Sequence, residues 1–289
     1  MKKLTQGYGL IEGPVWDRQR GLIFSDVVFG GVFALGADGR VTRIFEHRKG
    51  IGGMSLHQAG GLVVSGRNIA FKPFDGGDTL VLLDRDESTG NLGYNDITTD
   101  AKGRIYAGSL GQSTVFEDGR KPRPGDLFLL DLDGGSRVVA TDIRLTNGLG
   151  FSPDGKILYH SDSQRKSVYC YAVEDDGSLG EKRLFIRAER GTPDGLAVSV
   201  DGRVWLAQAG RGAGVGVYDT DGNLSRLIEI PGMCTSLCFG GEDLKTLYMV
   251  TGSENLGSTD RDGAVFSIES DVAGVPVAPA RVRLPDPAG

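Results

Sequence analysis

The sequence is poor in several residue types on which whole classes of proteins depend. It has three cysteines and three histidines in 289 residues, and its acidic residues outnumber its basic ones to give a net charge of −6. Binding to nucleic acid needs a basic face, so the composition argues against a nucleic-acid partner. No apolar run approaches the ~20 residues that cross a membrane, and the first residues lack the apolar core of a signal peptide. We therefore expect a cytoplasmic protein with neither a nucleic-acid nor a membrane partner; its oligomeric state stays open.

The few cysteines do not indicate a disulfide framework. Cys234 and Cys238 stand four positions apart on a predicted strand, which is too far for a bridge. We interpret both, together with Cys170, as small buried apolar side chains, with a metal or redox role as the alternative.

Glycine, by contrast, is abundant, with 46 residues, and it marks a repeat. A turn followed by an apolar strand recurs with successive spacings of 40, 42, 52, 47 and 43 residues. The six copies are "GLIFSD" at Gly21, "GLVVSG" at Gly61, "GRIYAG" at Gly103, "GKILYH" at Gly155, "GRVWLA" at Gly202 and "KTLYMV" at Lys245. Strands repeated at a period in the forties are typical of propeller blades. The sequence predicts an all-β protein, a six-bladed β-propeller that forms a single domain over residues 1–289.

Polar residues recur eight or nine positions before each copy, at the start of the predicted innermost strands. These six positions hold Glu12, the Gly52-Gly53 pair, Asn95, Asn147, Asp194 and Ser236. In a propeller the innermost strands line a central channel, so we expect these residues to face one another at one mouth of it.

Two carboxylates at close range repel each other, and a divalent cation removes that cost. Oxygen ligands from Glu, Asn and Asp suit hard ions. The sequence therefore predicts a metal site in the central channel, with Ca²⁺ as the preferred ion and Mg²⁺, Mn²⁺, Zn²⁺ or Fe as the alternatives. The other interpretation is that the Asn-Gly and Asp-Gly pairs only make turns.

The stretches "EGPVW", "NGLGFSPDG", "PDGLAVSVDG" and "TSLCFGG" resemble the motifs of the senescence marker protein 30/gluconolactonase/luciferin-regenerating-enzyme family. The resemblance implies a six-bladed propeller with one divalent ion in its channel and a lactone-hydrolysing activity. It implies that Glu12, Asn147 and Asp194 are the metal ligands. It also implies that Asp194 is the general base and that Asn95 contacts the substrate.

The chain departs from the family at one position. Sugar-lactonase members commonly read Arg-Phe-Asn-Asp-Gly where this chain reads "GYNDI", so Gly93 replaces an arginine that binds sugar hydroxyls. We expect the vacated space to suit a less polar or bulkier lactone, or another ester, rather than a sugar lactone. Arg67, in blade two, is a candidate replacement for the missing arginine.

Further residues are expected near the same mouth, because the second strand of each hairpin runs back towards it. Ser109, Asp162 and Gln208 are predicted to contact the substrate there, and Asp26 occupies the corresponding place in blade one. The long charged stretch from Gly111 to Phe128 leaves from this mouth, and we interpret it as a lid.

These observations together predict a divalent-metal-dependent hydrolase that opens a lactone or a related ester, with a small molecule as its substrate. Two other functions stay open. One is a non-hydrolytic reaction (lyase, isomerase or condensation) of the kind catalysed by related propellers such as strictosidine synthases. The other is a calcium-binding regulatory or interaction module.

Overall fold

The computed structural model describes residues 1–46, 48–112, 121–210, 212–253 and 259–286. These residues form 24 strands in six four-stranded sheets and one short 3₁₀ helix, Glu87–Thr89. The first blade contains β2 (Ile11–Asp17), β3 (Gly21–Asp26), β4 (Val32–Leu35) and β5 (Val41–Phe45). The second contains β6 (Met54–His57), β7 (Gly61–Val64), β8 (Ile69–Pro73) and β9 (Leu80–Leu83). The third contains β10 (Tyr94–Thr99), β11 (Ile105–Ser109), β12 (Gly125–Leu130) and β13 (Ser136–Ile143).

The other three blades repeat this plan. The fourth contains β14 (Thr146–Phe151), β15 (Ile157–Asp162), β16 (Ser167–Ala172) and β17 (Arg183–Arg187). The fifth contains β18 (Thr192–Val198), β19 (Val204–Ala209), β20 (Val215–Tyr218) and β21 (Leu224–Ile228). The sixth contains β22 (Met233–Gly240), β23 (Thr246–Gly252), β24 (Gly263–Glu269) and, at its outer edge, β1 (Lys2–Tyr8).

Each sheet is an antiparallel meander, and the expected six-bladed propeller is confirmed. The sixth blade closes the ring, because β1 pairs antiparallel with β24 in a register that places Lys2 opposite Ser267 and Gln6 opposite Ala264. Neighbouring blades share apolar clusters, as where Trp205 of the fifth blade meets Phe239 of the sixth edge to face. The ring is therefore held by strand pairing at its seam and by side-chain packing between its blades.

Two Asp-Gly pairs, Asp154-Gly155 and Asp201-Gly202, form the hairpin turn between the two inner strands of their blades. Gly155 has a φ of +71°, and its amide donates to Ser152 O at 2.8 Å while the carboxylate of Asp154 accepts from Lys156 N. Gly202 repeats this geometry in the fifth blade with a φ of +86°. A left-handed φ is the reason that glycine recurs at this position.

A β-bulge interrupts the innermost strand of the first, third, fourth, fifth and sixth blades near its start. In the fourth blade Thr146 pairs with Asp162 and Leu149 with His160, which leaves Asn147 and Gly148 in the bulge. The inner strands also approach closely, since a Cβ built on Gly148 would lie 2.5 Å from Asp194 O. Glycine is thus required there by the neighbouring backbone.

The segment after β24 crosses the end of the channel away from the bulges. Val275 N donates to Val198 O, Ala280 N donates to Leu56 O, and Arg281 N donates to Gly103 O, all at 2.7–2.8 Å. These bonds connect the fifth, second and third blades, so the segment restrains blades that are distant in sequence.

The structure bears on the expectations for the cysteines, the lid and a membrane span. The three cysteines are unpaired, but only Cys170 and Cys234 are buried, whereas Cys238 is half-buried at the channel wall. Positions 113–120 of the expected lid lie outside the described residues, and its last residues, 125–128, belong to strand β12. No helix in the described ranges has the length and apolarity needed to span a bilayer.

A buried histidine supports the inner strand of the fourth blade. The His160 ring Nε2 and Thr146 Oγ1 are hydrogen-bonded at 2.8 Å, and Thr146 immediately precedes the bulge. The imidazole is 1% exposed, and its burial lowers the pKa of His160 to about 4. The folded protein therefore holds this side chain neutral at physiological pH.

Substituting Gly148→Ala tests the close approach of the inner strands. The added methyl group meets backbone atoms that cannot rotate away, so we expect the free energy of unfolding to fall by about 2 kcal/mol or more. Gly180→Ala is the control, because its nearest neighbour would be the Ala172 Cβ at 3.3 Å, and it should cost less than about 0.5 kcal/mol. If urea unfolding showed equal losses of unfolding free energy for the two variants, the close approach of the inner strands at Gly148 would be contradicted.

The low pKa of His160 predicts a specific pH dependence of stability. The unfolded side chain binds a proton near pH 6.5 and the folded one only near pH 4, so stability is lost as the pH falls through this window. Between pH 7.5 and pH 5 the loss from this group should be about 2 kcal/mol. The free energy of unfolding is measured in urea with a chelator present. Between pH 7.5 and pH 5, the decrease for His160→Gln should be about 2 kcal/mol smaller than the decrease for the parent protein. Parallel pH profiles would show that His160 does not contribute.

Candidate active site

The bulges bring the candidate ligands to one mouth of the channel. Glu12, Asn147 and Asp194 begin the inner strands of the first, fourth and fifth blades, and Asn95 begins that of the third. The expected ring thus forms from side chains more than 180 residues apart in sequence. Because each side chain comes from a different rigid blade, packing between the blades sets their relative positions.

The two carboxylates of the ring are buried, and one oxygen atom of each has no hydrogen-bond partner among the described residues. Glu12 is 9% exposed and Asp194 is 8% exposed, and the atoms without a partner are Glu12 Oε2 and Asp194 Oδ1. Burial raises the pKa of Glu12 well above its ordinary value, and the charges of Asp194 and Asp96 raise it further. Burial and the charge of Asp96 likewise raise the pKa of Asp194. The site therefore disfavours two free anions and favours a bound cation or proton.

The two carboxamides are oriented by hydrogen bonds from their nitrogen atoms. Asn95 Nδ2 donates to Thr146 O at 2.9 Å, and Asn147 Nδ2 donates to Ser163 Oγ at 3.1 Å. Ser163 Oγ in turn donates to Pro193 O at 2.6 Å, next to Asp194. Since the amide nitrogens are used in this way, both carbonyl oxygens stay available as acceptors.

Asp96 is a third carboxylate at this site, and the sequence argument missed it. Side chains alternate along a regular strand, so Asn95 in the channel would place Asp96 on the opposite face. The bulge between Tyr94 and Ile97 instead turns both residues towards the channel. Asp96 is 8% exposed, has no hydrogen bond or ion pair with any described residue, and has its pKa raised to about 7 by burial. A register shift of this kind leaves no clear signal in a single sequence.

A cavity of about 460 Å³ lies in the channel beneath the ring. Asp96 and Ser236 are polar groups at the end of the cavity next to the ring. Its walls include Val15, Ala197 and Cys238. The crossing segment at Val275–Val277 lines its far end. The ring residues therefore separate an outer mouth from a largely apolar inner channel.

The second and sixth blades supply little side-chain bulk to the ring. Gly52 lies so close to Asn95 Oδ1 that a Cβ would overlap it, and a Cβ on Gly195 would overlap Ser236 Oγ. Ser236 therefore stands one level deeper than the ligands, beside Gly195. Small residues at these points allow the four ligand-bearing strands to converge.

The second-strand residues expected at the rim have partners inside the protein. The carboxylate of Asp162 accepts from the amides of Arg144 and Leu145 and pairs with Arg165 at 2.9 Å. Ser109 Oγ accepts from Asp126 N at 2.8 Å. Gln208 is 1% exposed, and its side-chain amide can bond Arg190 O and Gly216 N. Asp26 similarly accepts from Gly9, Val28 and Phe29 amides. These contacts stabilise loops, and we do not include the four residues among the proposed substrate contacts.

The backbone around Gly93 leaves no room for a side chain to start at that position. Gly93 has a φ of +140°, and a Cβ there would overlap the carbonyl oxygen of Gly66. The turn after β7 thus fills the place where the family arginine would start. Arg67, on the same turn, is 71% exposed and lies 3.7 Å from Glu87 Oε1.

The mouth offers oxygen atoms of three residues as candidate donors to a cation. No three His, Cys, Asp or Glu side chains group closely enough to hold an ion within the described ranges. The candidate donor set instead combines the carboxylates of Glu12 and Asp194 with the carboxamide oxygen of Asn147. Such a mixed oxygen set matches the preferences of Ca²⁺ and Mg²⁺, whose remaining positions water or substrate can fill.

Comparison with known proteins identifies lactonases among the relatives of this chain. The chain is 32% identical to a 6-deoxy-6-sulfogluconolactonase of Pseudomonas putida, in an alignment that covers 91% of this chain and 92% of that one. It is 30% identical to the pentonolactonase XacC of Haloferax volcanii, over 94% and 95% of the two chains. Among solved structures, the calcium-binding protein regucalcin from Agrobacterium tumefaciens superposes with a TM-score of 0.82 at 24% identity, over 96% of each chain.

The sequence profile described as the SMP-30/gluconolactonase/LRE-like region matches residues 10–253. That span runs from just before Glu12 to the end of the sixth blade's second strand, and so it contains every ring residue. The chain therefore belongs to the SMP-30/gluconolactonase/LRE-like family.

Proposed function

We propose that this protein is a divalent-metal-dependent lactonase whose substrate binds at the outer mouth of the channel. The observation that carries the proposal is that Glu12 and Asp194 each have one buried carboxylate oxygen without a hydrogen-bond partner among the described residues. The carboxamides of Asn95 and Asn147, whose nitrogens are engaged elsewhere, lie beside them. The lactonase relatives support the reaction class.

The residues present fit a metal ion. Unpartnered buried carboxylate oxygens are rare in folded proteins, because each costs the full desolvation of a charged group. Glu12, Asn147 and Asp194 would hold the ion, with Asn95 next to it. When bound, a divalent ion would supply Lewis-acid polarisation of the lactone carbonyl and would offset the repulsion between the two carboxylates.

The chain's own groups then account for the proton transfers. Asp194 accepts a proton from the attacking water as its oxygen bonds to the carbonyl carbon, and the ring C–O bond breaks afterwards. The proton passes from Asp194 to the departing ring oxygen, which becomes the hydroxyl of the product hydroxy acid. Asn95, held by its bond to Thr146 O, orients the water or the substrate. The buried charge of Asp96 raises the proton affinity of Asp194.

The relatives also indicate the kind of lactone. Both lactonases with 30% identity or more carry names of sugar lactonases. Since Gly93 does not open an apolar space, the structural ground for preferring a less polar ester is gone. We therefore propose a sugar lactone as the substrate class.

The proposal is tested by metal removal and restoration. Chelator-treated protein should not hydrolyse D-glucono-1,5-lactone or D-galactono-1,4-lactone, and one of Ca²⁺, Mg²⁺, Mn²⁺, Zn²⁺ or Fe²⁺ should restore acid release measured with a pH indicator. Hydrolysis that is unaffected by the chelator would refute the metal requirement. Metal binding without turnover of any lactone would favour the non-hydrolytic or regulatory functions.

Substituting Asp194→Asn separates the base from the ligand role. The amide keeps an oxygen donor but cannot accept the proton, so turnover at saturating metal should fall by roughly 10²-fold or more. Asp201→Asn is the matched control, since Asp201 lies on the hairpin turn of the same blade and bonds Ser199 and Arg203. Metal content is measured on the same samples. A near-parental rate at full metal occupancy would show that Asp194 is only a ligand.

Substituting Glu12→Gln should change stability in opposite directions with and without metal. In chelator, the variant loses one of two buried like charges, so its melting temperature should equal or exceed that of the parent. In excess Ca²⁺, the parent should gain about 2–3 kcal/mol at 100 times its Kd, and the variant should gain less. A variant that is less stable in chelator would contradict the repulsion between Glu12 and Asp194.

A further inference from the structure

The turn after β7 takes over the position of the family arginine. Tyr94 N donates to Gly66 O at 2.7 Å and Gly66 N donates to Tyr94 O at 3.1 Å, so the turn is fixed to the inner strand of the third blade. Gly93 directly precedes Tyr94, and a side chain at position 93 would overlap the carbonyl oxygen of Gly66. Position 93 therefore cannot supply a cationic side chain to this side of the mouth.

Arg48 is the cation that the second blade supplies. It lies on the segment between β5 and β6, is half-buried, and donates from Nη2 to Asn68 Oδ1 at 2.6 Å and Asn68 O at 3.4 Å. Both acceptors are neutral, and neither Nε nor Nη1 has a partner among the described residues. No carboxylate of the described chain pairs with Arg48, and burial lowers its pKa. Its positive charge also helps to lower the pKa of Lys72, after the effect of burial.

The position of Arg48 places it beside the ring. Its Nη2 lies 3.9 Å from where a Cβ on Gly66 would be, next to the contact between Gly66 and Gly93. Four residues further along the chain, Gly52 packs against Asn95 Oδ1, so the Arg48 Cα lies within about 14 Å of the ring. An extended arginine side chain and a sugar bound at Asn95 and Asp194 together span a comparable distance.

Arg67 is less suited to this role than Arg48. The Arg67 side chain is exposed to water and is already near Glu87, so its charge is screened and partly compensated. Arg48 is half-buried, and no anion among the described residues compensates its charge. Partial burial of an uncompensated cation is unfavourable, whereas an incoming anion would form charge-assisted hydrogen bonds with the two unused donor groups.

We infer that Arg48 binds an anionic substituent of the substrate, a carboxylate, sulfonate or phosphate remote from the lactone carbonyl. The inference rests on the proposed lactonase function and narrows its substrate class to acidic sugar lactones. A neutral hydroxyl group would form a weaker hydrogen bond and would leave the guanidinium charge uncompensated.

The test compares acidic and neutral lactones on metal-loaded protein. The parent should have a higher kcat/KM for D-glucaro-1,4-lactone and 6-phospho-D-glucono-1,5-lactone than for D-galactono-1,4-lactone. Arg48→Gln should lower kcat/KM for the acidic lactones by about 10- to 100-fold, the loss expected for a charged hydrogen bond. The kcat/KM of Arg48→Gln for the neutral lactone should change by less than about threefold. A parent that prefers the neutral lactone, or equal losses on both kinds, would overturn the inference.

Two further variants are controls for indirect effects of the Arg48→Gln substitution. Arg43→Gln removes an exposed arginine that stacks on Phe33 and should leave both activities unchanged. Asn68→Asp keeps the size of the partner residue but supplies an internal anion to Arg48, so it should also abolish the preference for acidic lactones. If Arg48→Gln does not fold, Asn68→Asp decides the question, and an unchanged preference in it would refute the role of Arg48.

Binding of the reaction products separates this inference from the proposed function. By calorimetry, D-glucarate should bind the parent about tenfold more tightly than it binds Arg48→Gln, while D-gluconate should bind both alike. Glucarate binding that depends on Arg48 in a protein that hydrolyses no lactone would refute only the lactonase proposal. Lactone hydrolysis with no effect of Arg48 on glucarate binding would refute only this inference.

Discussion

The repulsion between buried carboxylates at the channel mouth is the constraint around which the site is organised. Glu12 and Asp194 lie on different blades, are almost completely buried, and have oxygen atoms without partners. Asp96 adds a third buried carboxylate just beneath them. In a protein without a cation there, each of these groups would be protonated more readily than in water. The propeller tolerates this arrangement because the energy that holds the blades together comes from their cores, away from the mouth.

The β-bulges are the structural device that creates this arrangement. A regular inner strand would present one side chain to the channel at each level, whereas a bulge presents two successive residues. In the third blade these residues are Asn95 and Asp96, and in the fourth and fifth blades glycine follows the ligand. The glycines allow the neighbouring strands to come close, and the ligands can then converge on one point. The bulges therefore have two effects: they pack these glycines against the neighbouring backbone, and they place the candidate ligands at the mouth.

The second blade gives the mouth its asymmetry. It contributes only Gly52 and Gly53 to the ring, and its turn at Gly66 packs on Gly93 of the next blade. One side of the mouth thus has the carboxylates of Glu12 and Asp194, and the other has the backbone of Gly66 and Gly93 with Arg48 nearby. The proposed cation at the centre and Arg48 at the edge would together orient an acidic lactone in one direction.

The sequence by itself determined the repeat, the number of blades and the residues of the ring. Periodic turns such as Asp154-Gly155 specify hairpins through local backbone preferences, and a regular spacing then places Glu12, Asn147 and Asp194 at equivalent positions. The tertiary structure decided which neighbouring side chains share that mouth. The bulge that turns Asp96 inward and the packing of Gly66 on Gly93 arise from contacts between strands and blades, which no local pattern encodes. Asp162, Ser109 and Gln208 reach the same end of their blades as expected, but hydrogen bonds inside the protein engage their polar groups, and only the folded chain brings those partners together.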